Sequence, residues 1–178
     1  LAEEIIRYYG YEHITSTLMP KAEQTRGMKT EDQIKVDGLI KKLVGLGYME
    51  TTTYSFISPK AFDMLKIAED SELRVAAKLL NPLGDDWSVM RTILTPSILN
   101  IVSLNNNKKL NDGRLFEIAK VFRPKSLPMT EQPEENNTLA ICAFGRDETF
   151  FTLKAAVEEV MKTYGVYNYD FTAKIYSF

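Results

Sequence analysis

The chain has 178 residues and a formal net charge of −2 at pH 7, and 44% of its residues are hydrophobic and 26% charged. This composition is ordinary for a soluble globular protein with one main domain, and the weak acidity excludes the basic footprint of a protein that binds DNA or RNA by itself. The single Cys142 excludes an internal disulfide, and neither a signal peptide nor an apolar run of membrane-spanning length is present, so we expect a cytoplasmic protein.

Residues 1–9 predict the end of an amphipathic helix that stops at Gly10. Because the sequence starts inside this pattern without an initiator Met, we expect a piece of a longer chain. Glu3 and Glu4 lie on the polar side of the helix, and Glu3 can pair with Arg7 one turn later. From residue types alone, these two carboxylates indicate a solvated face rather than a metal site, because no further ligand is visible.

His13, the only histidine, is predicted to lie in a turn. The polar stretch that follows it, with Pro20 and Gly27, predicts a linker. A capping-box pattern at Thr30 leads into an amphipathic helix that ends at Gly47. The apolar face of this helix has helical spacing and consists of Val36, Leu39, Ile40, Leu43 and Val44.

The segment 48–57 is rich in β-branched and aromatic residues and predicts a strand, after which Pro59 opens a short helix. The segment 77–92 predicts a strand, a sharp turn and a second strand. Thr95 and the proline after it then predict the start of another helix.

Four residues of the 77–92 segment are candidates for a special role: Asp85, Asp86, Trp87 and Arg91. The simpler interpretation of the three charged residues is turn chemistry with a local salt bridge. Trp87 could anchor a partner, but one aromatic residue beside a turn more often covers the core.

The segment 114–123 predicts a long central strand, bounded by Asp-Gly before it and Pro after it. Read at a period of two, one face is apolar (Phe116, Ile118, Phe122) and the other carries the charges (Leu115, Glu117, Ala119, Val121, Arg123). A loop over 124–136, a returning strand over 138–144 and a helix over 150–164 follow, and the last dozen residues alternate like a strand. We therefore predict an α+β fold with an antiparallel sheet flanked by helices.

The central strand, hydrophobic-Phe-Glu-Ile-x-x-Val-Phe-Arg, resembles the first half of motif 2 of class II aminoacyl-tRNA synthetases. This resemblance implies that Arg123, which closes the strand, descends from an arginine that binds the substrate carboxylate and the ATP α-phosphate. The preceding order of long helix, glycine, tyrosine and strand is similar to motif 1, which builds the subunit interface. Tyr54 stands where motif 1 has its proline.

Two runs resemble the β subunits of bacterial phenylalanyl-tRNA synthetases: Leu-Ala-Glu-Glu-Ile-Ile-Arg-Tyr-Tyr-Gly-Tyr and Leu-Asn-Pro-Leu-x-x-Asp-x-Ser-Val-Met-Arg-Thr. The resemblance implies a C-terminal remnant of the B5 domain at 1–20, a linker at 21–29, and a class II-like B6/B7 core at 30–178 that is truncated before motif 3. In the family, Glu3 and Glu4 would fall on two Mg²⁺ ligand positions, and the third ligand, an Asp, would precede this sequence.

Activation of an amino acid by ATP joins two anions, so it needs several positive charges aimed at the transition state. Here Pro124 and Lys125 follow Arg123 in place of the motif 2 glutamate, and no Gly-x-Gly-x-x-Arg of motif 3 type occurs. The resemblance therefore implies a non-catalytic core that supports the catalytic α subunit in the aminoacylation of tRNA(Phe), within an (αβ)₂ enzyme that uses ATP and Mg²⁺.

Two other functions remain alternatives on the sequence. The first is a catalytically competent, ATP-dependent amino-acid-activating domain, which phenylalanine-dependent ATP–pyrophosphate exchange would reveal. The second is an RNA-binding module, which the acidic balance and the lack of interleaved aromatic and basic residues disfavour. The sequence does not indicate which residues contact the α subunit or tRNA.

Overall fold

A computed structural model describes residues 1–18 and 27–173. The chain divides into two compact units, Leu1–Thr30 and Glu31–Phe178. Residues 21–26 of the predicted linker lie outside the described part of the chain, so the boundaries of a B5 remnant and a linker stay predictions. The helices formed by the described residues are all too short or too polar to cross a membrane.

The first unit contains helix α1 (Ala2–Tyr9), as predicted. It ends at Gly10, whose φ of 114° favours glycine and whose N–H donates to the Ile6 carbonyl at 2.8 Å. His13 lies in the 3₁₀ turn that follows, which confirms it as a turn residue.

The predicted pairing of Glu3 with Arg7 is wrong, because Arg7 binds Glu4 instead, at 2.7 Å. A spacing of three residues also places two side chains on one helix face, so the sequence allowed both pairs. Both side chains are largely exposed, and such a pair contributes at most about 1 kcal/mol to stability.

The second unit is organised around strand β4 (Gly113–Arg123), which is the middle strand of a three-stranded sheet. On one side it pairs antiparallel with β5 (Glu134–Phe144), in a register that runs from Gly113 opposite Phe144 to Arg123 opposite Glu134. On the other side it pairs in parallel with β1 (Met49–Glu50). The predicted central strand is confirmed, but the sheet is mixed rather than antiparallel.

The parallel pairing of β1 and β4 has a topological cause. A parallel neighbour needs a long crossover connection, and the chain between β1 and β4 supplies one that contains helices α3 (Lys60–Met64) and α4 (Thr95–Asn107). Helix α4 then packs against β4 and β5. The sequence pattern of each strand contained no information about this direction.

The predicted strand over 48–57 is interrupted. After β1 the chain leaves the first sheet, and strand β2 (Phe56–Ile57) pairs antiparallel with β3 (Val89–Met90) in a second, two-stranded sheet. The predicted strand–turn–strand of 77–92 is correspondingly reduced, because its first strand is a single bridge between Lys78 and Val89. Hydrogen bonds from threonine side chains to β4 replace regular pairing in the interrupted stretch.

Of the two hydrophobic core clusters formed by the described residues, one lies on the predicted apolar face of β4, and the other contains Ile57, Phe62, Ala76 and Val89. Phe116, which is fully buried, packs between helix α2 (Glu31–Gly45) and helix α5 (Phe150–Thr163). The other buried members of this core are Leu39, Leu43, Tyr48 and Ala156. Helix α2 ends two residues before the predicted Gly47, and α5 begins with a capping box between Thr149 and Thr152.

Two C-terminal predictions need correction. Strand β5 begins at Glu134, so the predicted loop over 124–136 is shorter, because residues 134–137 pair with the end of β4. The predicted last strand is wrong over 167–173, where the chain forms neither helix nor strand, and residues 174–178 lie outside the described range.

The turn between β5 and α5 depends on a glycine. Gly145 has φ 133°, and a Cβ on it would lie 2.7 Å from the Cβ of Asp112. We expect Gly145→Ala to lower the free energy of unfolding by about 1–3 kcal/mol in urea denaturation, through backbone strain and this clash. The matched control is Gly38→Ala inside α2, where nothing lies within 4 Å and alanine should stabilise by about 0.5–1 kcal/mol. Equal effects of the two substitutions would contradict the prediction.

Candidate functional site: the Arg123 face of the sheet

The candidate site is the second face of β4, which we call the Arg123 face. Its residues are Leu115, Glu117, Ala119, Val121 and Arg123. Of these, Leu115, Glu117 and Val121 are buried, whereas Arg123, at the end of the strand, is exposed. Helix α4 packs over this side of the hairpin. Ala119 is half-buried, and Arg123 is the exposed residue of the face.

A buried ion pair occupies the middle of the Arg123 face. Arg91, the residue after β3, donates from Nη1 to Oε1 of Glu117 at 2.9 Å, and the two side chains are 3% and 2% exposed. Thr53 donates its hydroxyl to the same carboxylate and its backbone N–H to Oε1 at 3.3 Å. The Glu117 carboxylate is thus neutralised and hydrogen-bonded entirely from within the protein, as a buried charge requires.

Arg91 also fixes the backbone around the pair. Its Nε donates to the Lys120 carbonyl at 3.0 Å, and its Nη1 donates to the Tyr54 carbonyl at 3.2 Å. Its backbone N–H donates to the Ser55 carbonyl, and its carbonyl accepts from the N–H of Phe122, both at 2.9 Å. One arginine therefore joins β4 to the interrupted stretch between β1 and β2.

The interpretation of Arg91 as a member of a local salt bridge is wrong, because its partner is 26 residues away in sequence. Asp85 and Asp86 instead lie on an exposed 3₁₀ turn, Asp85–Trp87. Their position in a turn is as predicted, and the Ser88 hydroxyl donates to the main-chain carbonyl of Asp85 at 2.8 Å.

Beside the ion pair, the Arg123 face leaves a groove of about 390 Å³ between α4 and β5. It is lined by Thr92 and the residues after it, by Ile98 and Leu99 of α4, and by residues 138–142 of β5. Among the described residues that line the groove, Arg123 is the single charged one. The groove is therefore an apolar depression with one guanidinium at its edge.

Cys142 lines this groove, and burial raises the pKa of its thiol above the usual value. Because the thiolate is the reactive form, we expect iodoacetamide at pH 8 to label Cys142 at least about tenfold more slowly in the folded protein than in urea. In the folded protein, the rate of labelling should begin to increase only at a higher pH than for a thiol with an unperturbed pKa. Cys142→Ser provides the unlabelled control, and equal rates in the two states would contradict this prediction.

The structure places the other two predicted site residues, Glu3 and Glu4, on the exposed helix α1. Arg7 already binds Glu4 at 2.7 Å, and no group of three His, Cys, Asp or Glu residues suited to a metal occurs in the part of the chain that the structure describes. Mg²⁺ requires near-octahedral oxygen coordination, which these two carboxylates alone do not fit. The magnesium site stays a prediction.

Glu117 and Thr53 are the residues that the sequence analysis missed. Glu117 was placed on the charged face, but no partner was assigned to it. A signal did exist: a glutamate between Phe116 and Ile118 and an arginine after Val-Met are opposite charges in two apolar strands. Charges in such strands are buried only when they are paired, so the two could have been matched.

Two solved structures share the fold of this chain. A structure of pyrrolysyl-tRNA synthetase from Desulfitobacterium hafniense matches 77% of this chain and 48% of its own chain, with a TM-score of 0.61 and 20% identity. A second structure of that synthetase matches 99% of this chain and 55% of its own chain, with a TM-score of 0.65 and 15% identity. The chain has the fold of class II aminoacyl-tRNA synthetases.

The family follows from sequence. Residues 14–178 match the family model described as the phenylalanyl tRNA synthetase beta chain CLM domain, and the chain belongs to this family. The phenylalanine–tRNA ligase beta subunit of Clostridium tetani is 38% identical over 162 residues, which are 91% of this chain and 20% of that subunit. The beta subunit of Clostridium acetobutylicum is 39% identical over 93% of this chain and 21% of its own length. The chain thus spans about one fifth of the curated relatives it matches.

Proposed function

We propose that this chain is a non-catalytic, class II-like core of a phenylalanine–tRNA ligase β subunit. In this role it supports the catalytic α subunit in the aminoacylation of tRNA(Phe). The family membership supports the subunit assignment. The proposal that the core itself does no chemistry depends on the Arg123 face.

The observation that carries the proposal is that the chain fills this face with its own side chains. The Arg91–Glu117 pair and Thr53 occupy its centre, and the remaining groove is lined mainly by apolar residues. A nucleotide would need polar groups and cations in the space that these residues take. The buried arginine cannot serve a phosphate, because Glu117 already holds it.

The charge count leads to the same conclusion. Arg123 is the one cation among the described residues that line the groove, and a charge-assisted hydrogen bond contributes about 1.5–3 kcal/mol. Enzymes lower activation barriers by about 8–23 kcal/mol, and the attack of a carboxylate on a phosphate needs much of this as electrostatic stabilisation. Arg123 by itself falls far short, which favours a relic of a ligand-binding arginine over an active one.

The proposal extends to the assembly. The partners would be the α subunit directly and tRNA(Phe) through the whole enzyme, and ATP would be consumed at the α subunit. Mg²⁺ would belong to the whole enzyme, since Glu3 and Glu4 alone do not complete a site. We propose a cytoplasmic (αβ)₂ heterotetramer as the complete assembly.

The test combines binding and catalysis. The chain is immobilised and incubated with purified α subunit, and phenylalanine-dependent ATP–pyrophosphate exchange is measured on the chain alone, on α alone and on the complex. We expect α to be retained and exchange to require α. Arg123→Ala should leave the exchange by the complex within about twofold, because a relic contributes no transition-state contact. Exchange by the chain alone would refute the proposal.

A further inference from the structure

A second cluster of polar side chains lies at the other end of β4 from Arg123, where the strand begins. We define the Arg114 cluster as Arg114, Tyr48 and Glu148. Arg114 donates from Nε to Oε1 of Glu148 at 2.7 Å and from Nη1 to the Leu46 carbonyl at 3.3 Å. Tyr48 follows helix α2, and Glu148 precedes the N-cap of α5. The cluster therefore connects the end of α2, the start of β4 and the start of α5.

Two oxygen atoms of the Arg114 cluster are buried and have no hydrogen-bond partner among the described residues. They are Oη of Tyr48 and Oε2 of Glu148. Tyr48 as a whole is only 3% exposed, so bulk solvent does not reach its hydroxyl. Burial of a polar atom without a partner costs free energy, and such atoms are almost always hydrogen-bonded in folded proteins. Two of them in one cluster point to a bound molecule that contacts both.

The two oxygen atoms belong to side chains that flank the same guanidinium. Glu148 binds Arg114 at 2.7 Å, and Cζ of Arg114 lies 5.9 Å from the centre of the Tyr48 ring. Burial raises the pKa of the Tyr48 hydroxyl, the Arg114 guanidinium lowers it, and Glu148 and then Cys142 raise it. The carboxylate and the hydroxyl are therefore neighbours, although they do not bond to each other directly.

The charges of the cluster define the chemistry of the bound molecule. The Arg114 guanidinium repels a cation and the Glu148 carboxylate repels an anion, so a neutral molecule fits best. A carboxylate oxygen in an ion pair only accepts hydrogen bonds, so the molecule must donate. It must also be small, because Tyr48 packs into the core with Leu43 and Phe116. Water meets each of these requirements.

We propose that one buried water molecule joins Oη of Tyr48 to Oε2 of Glu148. The water donates to the carboxylate and forms its second hydrogen bond with the hydroxyl, so both oxygen atoms are satisfied. It extends the Arg114–Glu148 ion pair to the residue that follows α2. This inference does not depend on the proposed function, because no partner or substrate takes part in it.

The direct test is a crystal structure of the chain at a resolution that shows ordered water. We expect a water oxygen at about 2.5–3.0 Å from both Oη of Tyr48 and Oε2 of Glu148. In solution, magnetic relaxation dispersion of water should detect one long-lived water fewer in Tyr48→Phe than in the parent chain. A direct bond between the two side chains, or equal numbers of long-lived waters, would overturn the inference.

The stability of Tyr48→Phe provides a second measurement, whose sign is decisive. If the hydroxyl bonds to the water, the variant loses that bond, and the equilibrium constant of unfolding in urea denaturation should increase about 3–10-fold. If the hydroxyl has no partner, its removal relieves the cost of burying it, and the same constant should decrease. A decrease or an unchanged constant therefore contradicts the proposal.

Tyr54→Phe is the matched control, because Tyr54 is 66% exposed and bulk water already solvates its hydroxyl. It should change the equilibrium constant of unfolding less than about twofold. Repeating Tyr48→Phe in a Glu148→Ala chain should give a smaller effect, because the carboxylate that holds the water is gone. An undiminished effect would assign the hydroxyl to another partner and overturn the proposal. If Tyr48→Phe does not fold, the crystal structure of the parent chain decides.

Discussion

Replacing Glu117 by Gln should lower the free energy of unfolding by about 3–5 kcal/mol, because the substitution leaves the Arg91 guanidinium buried without a counter-charge. Both side chains are almost fully inaccessible to solvent, so water cannot replace the lost carboxylate. In thermal denaturation, the loss corresponds to a decrease of roughly 6–20 °C in Tm for a domain of this size. Urea denaturation of the variant and the parent chain measures the free energy directly.

A double variant separates the pair from its individual charges. Arg91→Met with Glu117→Leu removes both charges and retains apolar volume, so it should recover most of the stability lost by Glu117→Gln. Glu135→Gln is the surface control, because it breaks an ion pair with Lys120 on the same hairpin in which both side chains are about half exposed. We expect Glu135→Gln to lower the free energy of unfolding by less than about 1 kcal/mol. If the double variant is as unstable as Glu117→Gln, the loss of stability in Glu117→Gln does not come from the unpaired charge of Arg91, and the prediction is wrong.

The second large effect is expected from Phe116→Ala, which should lower the free energy of unfolding by about 3–5 kcal/mol. Phe116 has no solvent exposure and lies where α2, α5 and β4 meet, so its removal leaves a cavity that the surrounding backbone cannot fill. The m-value in urea should stay unchanged, since the fold is retained.

Phe151→Ala is the matched control for Phe116→Ala. Phe151 lies in the first turn of α5 with 73% of its surface exposed, so truncation should change stability by less than about 0.5 kcal/mol. A loss of similar size at the two positions would show that the core does not lie on the predicted apolar face of β4.

The two expected effects concern opposite faces of one strand. Phe116 holds the helices on one face, whereas the neighbouring Glu117 binds Arg91 on the other face and, through it, the stretch between β1 and β2 that contains Tyr54. A non-catalytic role suits this arrangement, since a face filled by structural side chains stabilises a scaffold and leaves little room for substrates.

The sequence by itself determined the elements with strong local signals. Helices α1, α2, α4 and α5 and the central strand were predictable because their apolar residues recur at 3.6 or two positions, and because Gly10 ends α1 and the proline after Thr95 lies in the first turn of α4. The motif in β4 and the Leu-Asn-Pro-Leu run indicated the family for the same reason, since each is a contiguous string of residues.

Only the tertiary structure decided the direction of β1, the break in the 48–57 segment and the partner of Arg91. Each depends on contacts between residues that are distant in sequence, such as Thr51 with Phe116 and Arg91 with Glu117. A buried charge requires a partner, and the packing of strands selects which one. Periodicity specifies which face of a strand is apolar, but not which strand lies beside it. The sequence indicated only that Arg91 and Glu117 are opposite charges in apolar strands, and the packing of the strands decided that they meet on the Arg123 face.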